Sequence, residues 1–239
     1  MPDALLKLEN VTAGYGDAVV LHSISFELPE HGSLAILGRN GVGKSTLLLT
    51  IMGYTQSRGG RMSWRGNDVS RVAPNRRAVN GIGWVAQERE IFPSLSVEEN
   101  LTVAARPGPW DLDALFGLFP RLAERRRNMG NQLSGGEQQM LAIARALATN
   151  PALMLLDEPF EGLAPVIVDE LTAAMKTMLA DHRLAIILVE QHTDIALDLT
   201  AEAIVLERGA VAHRAPSAQL QKDTATLERL VGLRVAATA

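Results

Sequence analysis

Along the first 37 residues, apolar and polar positions alternate with a period near two, the pattern of half-buried strands. Leu5, Leu6 and Leu8 lead into Val11. Residues 20–28 set Leu21, Ser23, Ser25 and Glu27 against Ile24, Phe26 and Leu28. Residues 33–37 form a buried strand that runs into a glycine-rich turn. A helix is predicted from Lys44 to about Met52, closed by Gly53, because glycine adopts the left-handed conformation that ends helices at little cost. Between about Gln87 and Asn150 the period becomes helical: Val97, Leu101 and Ala104 recur, then Met140, Leu141, Ala144, Leu147 and Ala148. This stretch reads as a helical insertion between strands of a sheet. Residues 152–156 and 184–189 are short, wholly apolar runs, as expected of parallel strands covered on both faces. Each precedes a predicted helix, 166–179 and 193–199. The alternation argues for an α/β fold with helices on the faces of a sheet. A peripheral helix is predicted over 224–231.

Composition narrows the chemistry. The chain has 239 residues, enough for one large domain or two small ones, and its 47% hydrophobic content supports a packed core. It contains no cysteine, which excludes disulfides, thiolate zinc sites and cysteine nucleophiles. The net charge of −4 argues against nucleic acid as a partner. Arg76-Arg77 and Arg125-Arg126-Arg127 read as solvated faces. The apolar runs are far shorter than the ~18–20 residues of a membrane span. Met1-Pro2-Asp3 lacks the basic start and apolar stretch of a secretory leader. The expectation is a soluble, cytoplasmic protein whose membrane association comes through a partner.

Gly38-Arg39-Asn40-Gly41-Val42-Gly43-Lys44-Ser45 follows the pattern G-x-x-x-x-G-K-[ST], between a predicted strand and a predicted helix. Glycines let the backbone wrap closely, so that N–H groups and the positive end of the following helix face phosphate oxygens. Lys44 can reach the β- and γ-phosphates, and the Ser45 hydroxyl can ligate Mg²⁺. The apolar strand 152–156 ends in Asp157 and Glu158. A carboxylate there supports Mg²⁺ beside a phosphate loop, which suits Asp157, while Glu158 could deprotonate an attacking water. Leu133-Ser134-Gly135-Gly136-Glu137 opens a helix: Ser134 is a natural N-cap, and Glu137 completes a capping box. The same geometry offers a second anion site, suggesting use by a neighbouring subunit.

The ordered set of this loop with Thr46, a lone Gln87, Leu133 to Gln139, residues 153–158 and His192 resembles the ATP-binding subunits of ABC transporters, over about residues 4–230. The resemblance implies a P-loop NTPase of the ABC ATPase type. Its core sheet is mainly parallel with flanking helices, beside an antiparallel β subdomain and a helical insertion. Residues 1–239 would form one such domain, with 1–87 and 151–239 as catalytic core with the β subdomain and about 88–150 as helical subdomain. The resemblance implies ATP and Mg²⁺ as cofactors. Tyr15 matches the aromatic that stacks on adenine, and Gly38 to Thr46 cradle the phosphates. Ser45, Gln87 and Asp157 contact Mg²⁺. Lys44, Glu158 and His192 carry the catalysis, His192 contacting the γ-phosphate and positioning Glu158. Ser134, Gly135 and Gly136 contact the nucleotide of the other protomer, so hydrolysis belongs to a dimer.

That family drives membrane permeases, and residues 88–96 match its docking surface. Gly81 to Val85, Arg89 to Pro93, Val97 to Leu101, Leu118 to Leu122 and Glu161 to Pro165 look like importers of branched-chain amino acids and their urea-importing relatives. Two different ATP-binding subunits usually pair in that group, and this chain resembles the shorter one, which implies a paralogous partner, with a homodimer as the alternative. A periplasmic or extracellular solute-binding protein would act indirectly, and the chain would sit on the inner face of the cell membrane. The phosphate loop and Arg89 to Pro93 lean towards the urea branch; residues 133–147 and 161–165 lean towards the amino-acid branch. Rival readings are a soluble ABC ATPase acting on DNA or ribosomes, an exporter ATPase, and an ATP-gated scaffold without turnover. Phe160 stands where many members carry Ser or Thr, and the 161–165 loop lacks a common aspartate. The compact stretch 105–111 has no functional reading.

Overall fold

The computed structural model describes residues 4–180 and 184–232. Met1, Pro2 and Asp3, read above for a leader, lie outside the described residues. Strands β1 (Leu6–Tyr15), β2 (Ala18–Leu28), β3 (Ser33–Leu37), β4 (Gln56–Trp64), β5 (Asn67–Asp68), β6 (Ile82–Val85), β7 (Leu153–Asp157), β8 (Ala185–Val189), β9 (Glu202–Glu207) and β10 (Ala210–Pro216) form two sheets. The first is antiparallel, in the order β2-β1-β4-β5. The second runs β10-β9-β3-β8-β7-β6, parallel except for β10.

The helices are α1 (Lys44–Met52), α2 (Pro74–Val79), α3 (Val97–Thr102), α4 (Leu112–Leu118), α5 (Pro120–Glu124), α6 (Gly135–Leu147), α7 (Pro165–Ala180), α8 (Thr193–Leu199), α9 (Ser217–Leu220) and α10 (Thr224–Val231). Those from 97 to 147 fall between β6 and β7, as the change of period predicts. Among the described residues no helix is long and apolar enough to cross a membrane.

The parallel strands divide two cores between them by the period of two. Ala35, Leu37, Met154, Leu156, Ile186 and Leu188 face one core, shared with α6 and α7. Their neighbours Leu34, Ile36, Leu153, Leu155, Ile187 and Val189 face the other, shared with α1 and the antiparallel sheet. Each fully buried Leu or Ile contributes about 1.5–3 kcal/mol of transfer free energy. This two-sided cover explains the unbroken apolar runs and fixes the strand ends that carry the chemistry.

Three expectations are corrected. Leu21 is fully buried rather than grouped with the solvent-facing serines. A bulge shifts the register between Val11↔Ile24 and Ala13↔Leu21, and Ser23 adopts φ +52° there, so the alternation restarts. Ala104 lies beyond the end of α3 and is exposed, because the helix stops after Thr102. Arg77 is buried, only 3% exposed, while Arg76 and Arg125 to Arg127 are solvated. The Arg77 guanidinium donates to Thr50 O (3.0 Å), Ile51 O (2.8 Å), Val69 O (2.6 Å) and Val72 O (2.8 Å). These bonds tie the last turn of α1 to the turn after β5, giving Ile51 O a donor and adding a charged one to Thr50 O, which also accepts from Gly53 N at 3.1 Å.

The compact 105–111 stretch is stapled by Asn150. Its amide donates to Arg106 O at 2.8 Å, and its Oδ1 accepts from Trp110 N at 2.9 Å. Asp111 then caps α4, accepting from Ala114 N at 2.9 Å.

Candidate functional site

The loop between β3 and α1 bends through three glycines in left-handed or related backbone: Gly38 (φ +144°), Gly41 (φ +79°) and Gly43 (φ +107°). A Cβ on Gly38 would stand 2.6 Å from Leu206 O, so only glycine fits there. Helix α1 begins at Lys44 without a side-chain cap and without an acid in its first turn. Its N–H groups are therefore left for an external anion, which the helix dipole favours.

Lys44 is buried, and its ammonium donates to Gly38 O at 3.1 Å, Arg39 O at 3.4 Å and Asn40 Oδ1 at 3.4 Å. It also lies 3.5 Å from Glu158 Oε1. Ser45 Oγ donates to Asp157 Oδ1 at 3.0 Å. The two acids at the end of β7 thus meet the lysine and the serine of the phosphate loop one by one. Asp157 is 5% exposed, and burial is the main cause that pushes its carboxyl up to about 6, against the lowering effect of the Ser45 hydrogen bond. Glu158 adopts φ +48°, a conformation that costs a non-glycine residue roughly 1–2 kcal/mol. Its N–H donates to Val189 O at 2.9 Å, which pins the turn to the neighbouring strand.

Gln87, after β6, reaches the same place. Its amide hydrogen-bonds Glu161 and approaches Glu158 Oε2 at 3.5 Å. Two residues singled out only as context for His192 prove central. Gln191 Nε2 donates to Glu158 Oε2 at 2.8 Å, and the buried Glu190 carboxylate accepts from Phe160 N, Gln191 N and His192 N at 3.0, 2.8 and 3.0 Å. Burial raises the Glu190 carboxyl above its ordinary range. The signal in the sequence is an apolar run ending in Glu-Gln-His, polar side chains leaving the end of a buried parallel strand. His192 itself is exposed at the start of α8.

Tyr15 ends β1 and is 44% exposed beside the turn to β2. Thr46 lies in the first turn of α1. Ser134, Gly135 and Gly136 stand at the start of α6. Ser134 Oγ accepts from Glu137 N at 3.3 Å and Glu137 Oε2 accepts from Ser134 N at 2.8 Å, so the capping box is formed. Gly135 faces Arg89 and Gly136 faces Ile167.

The segment 88–96 is rigidly held. Asn100, fully buried, donates to Phe92 O, Leu95 O and Ser96 O at 3.0, 3.1 and 3.0 Å and accepts from Phe92 N at 2.9 Å. Phe160 is buried in the core beneath α7, with only its N–H turned to Glu190.

Comparison with known proteins agrees with this fold. Residues 21–161 match the family model described as ABC transporter. The chain is 35% identical over 233 residues to the high-affinity branched-chain amino acid transport ATP-binding protein BraG of Pseudomonas aeruginosa, covering 95% of this chain and 100% of that one. It is 32% identical to the probable branched-chain amino acid transport ATP-binding protein LivF of Archaeoglobus fulgidus, covering 90% and 94%. The fold is similar to that of a nucleotide-free ATP-binding cassette from an ABC transporter, with a TM-score of 0.82, 23% identity, and 95% and 97% of the two chains covered. The chain belongs to the ABC transporter family, as one of its ATP-hydrolysing subunits.

Proposed function

We propose that this chain powers the import of branched-chain amino acids, hydrolysing ATP as one of two ATP-binding subunits on a membrane permease. The observation that carries the chemistry is the pairing of Lys44 with Glu158 and Ser45 with Asp157, which joins a phosphate loop to two buried acids. The solute class follows that of the branched-chain amino acid transport proteins BraG and LivF, each similar to this chain over nearly its whole length.

The phosphate loop amides and Lys44 bind the β- and γ-phosphates, and Tyr15 offers its ring to adenine. Base stacking of that kind is worth about 1–3 kcal/mol. Lys44 exchanges its loop carbonyls and Glu158 for phosphate oxygens. Glu158 Oε1, released from the ammonium, takes a proton from a water molecule as the water oxygen attacks the γ-phosphorus in line. The bond from that phosphorus to the β,γ-bridging oxygen breaks, and ADP leaves. His192 and Lys44 stabilise charge on the transferring group. Residues that would hold Mg²⁺ are Ser45, Asp157 and Gln87, a set of hard oxygen donors. Their fit rests on the hydroxyl and carboxylate being 3.0 Å apart, with few protein ligands, as suits an ion shared with phosphates. When bound, the ion neutralises charge on the β- and γ-phosphates.

Residues 88–150 form the helical part of a single cassette, and Ser134 to Gly136 serve the nucleotide of a second subunit, identical or paralogous. ATP contacted from both sides favours the closed dimer, by its differential affinity for that state. The permease docks on the segment 88–96 and the adjoining groove of about 360 Å³ between β6 and α6, lined in part by Trp84, Arg89, Arg106 and Arg145. Two observations support this. Trp84 Nε1 and Arg145 NH1 are buried donors without a partner among the described residues, and apolar side chains are exposed at Tyr54, Val79, Phe92 and Val103. The Tyr54 ring meets Trp84, and the Phe92 ring lies under the Arg145 guanidinium. A solute-binding protein outside the membrane delivers the solute, and the chain rests on the inner face of the membrane.

Uptake of labelled leucine and labelled urea by source cells carrying Lys44→Ala tests the reading. Leucine uptake is expected to fail and urea uptake to persist. Loss of urea uptake alone would move the assignment to the urea branch, and no change in either, with ATP binding abolished, would refute both.

A further inference from the structure

The turn that leaves β8 does more than present His192. Glu158 Oε1 faces Lys44 at 3.5 Å, while Oε2 accepts from Gln191 Nε2 at 2.8 Å. When phosphate oxygens take over Lys44, Oε1 loses its cation and becomes the basic atom. Oε2 keeps its donor. A carboxylate anchored through one oxygen swings less freely about its side-chain bonds, which favours keeping the other oxygen aimed at the place where water must lose its proton.

Gln191 is held in turn by Glu190. That carboxylate, 1% exposed, accepts from Gln191 N and His192 N on one oxygen, at 2.8 and 3.0 Å, and from Phe160 N on the other at 3.0 Å. Phe160 opens the loop through Glu161 to Pro165. One buried acid therefore ties that loop and the Gln191 turn together, and a shift in either is carried to the other through bonds that a buried carboxylate gives up only at high cost.

We propose that Gln191 is a positioning residue for hydrolysis, fixing the orientation of Glu158, and that Glu190 makes this orientation follow the loop that begins at Phe160. The inference rests on the reading of Glu158 as the base that activates water.

The test uses the complex recovered through a tag on the full chain, with steady-state and single-turnover hydrolysis of labelled ATP. Gln191→Met keeps the side chain's length but removes its donor. It is expected to lower kcat about tenfold or more with KM for ATP within about twofold, since misorientation of a reacting group can cost up to ~100-fold without affecting binding. Gln191→Glu, which sets a like charge against Glu158, should lose more. Glu190→Gln, which exchanges one accepting oxygen for an amide, should lower kcat with the same split. In a Glu158→Gln background, Gln191→Met should cause no further loss in single turnover, because the group it orients is gone. A kcat within twofold of the parent for Gln191→Met, with Glu158→Gln inactive, would overturn this inference alone. An equal further loss in the Glu158→Gln background, or a fall in ATP affinity that matches the fall in kcat, would assign Gln191 a structural role instead. Rapid turnover by Glu158→Gln would overturn the underlying reading of the base.

Discussion

The Ser45 hydroxyl donates to Asp157 Oδ1 at 3.0 Å, joining two residues 112 positions apart in the chain. The contact spans β8, which lies between β3 and β7 in the parallel sheet. It brings the first turn of α1 to the end of β7, and beside it Lys44 meets Glu158. Neighbouring residues on the loop thus match neighbouring residues on the strand, which is the arrangement a phosphate with its counter-ion requires.

Glu158→Gln keeps the size of the side chain and removes the basic oxygen. Phosphate release is expected to fall roughly 100- to 10,000-fold, the usual range for loss of a general base. ATP binding should persist, and ATP-dependent association of the subunits should become longer-lived, as read by size-exclusion chromatography with and without ATP.

Asp157 carries a cost in the chain free of nucleotide and metal. Its carboxyl is pushed up to about 6 in the folded state from an ordinary 3.8, chiefly by burial. The folded state therefore holds this proton more tightly than the unfolded one. Its contribution to stability is fully present below pH 4 and is lost as pH rises towards 6. At 1.36 kcal/mol per pH unit, the cost at neutral pH is on the order of 2–3 kcal/mol. Asp157→Asn in EDTA should melt higher than the parent at pH 7.5, with the gap closing below pH 4. Scanning calorimetry across that range checks the sign.

Arg77→Met should destabilise the fold by about 3 kcal/mol, because the Thr50 and Ile51 carbonyls at the end of α1 lose a charged donor. Arg77→Lys should recover little, since an ammonium cannot reproduce the fork that reaches α1 and the Val69–Val72 turn at once. Urea denaturation followed by circular dichroism measures both, and a midpoint equal to the parent's would contradict the role given to Arg77.

Phe160→Ala empties a site that is 1% exposed in the core shared with α7. A loss of roughly 3–5 kcal/mol is expected, as for other buried aromatic truncations. The Phe160 N–H to Glu190 remains in this variant, so kcat in the folded fraction should fall far less than stability. Parallel denaturation and turnover measurements separate the two effects.

The phosphate loop was legible because its chemistry is local: eight consecutive residues carry the glycines, the lysine and the serine. The limits of α1 follow from Gly43 and Gly53 in the same way, and the capping box of Ser134 and Glu137 closes within one turn. Residues 152–156 announced a strand covered on both sides, and the acids Asp157 and Glu158 stood visibly at its end. Strands β4 and β9 were not legible: β4 is mostly polar and gains its place only by pairing beside β1, and β9 is an apolar run of four residues that is placed only by pairing beside β3.

The sequence by itself determined which elements form around the phosphate loop and which residue types stand at their ends, since propensity, period and capping act within a few residues. Only the tertiary structure decided which side chains meet. It turned Leu21 inward through a bulge, buried Arg77 against the carbonyls of α1, and set Gln191 rather than the exposed His192 against Glu158. Those outcomes depend on strand order and register, which bring together groups 27 residues apart for Arg77 and Thr50 and 33 apart for Gln191 and Glu158. A buried polar group takes the partner that the fold delivers to it, and no local pattern encodes which one that is.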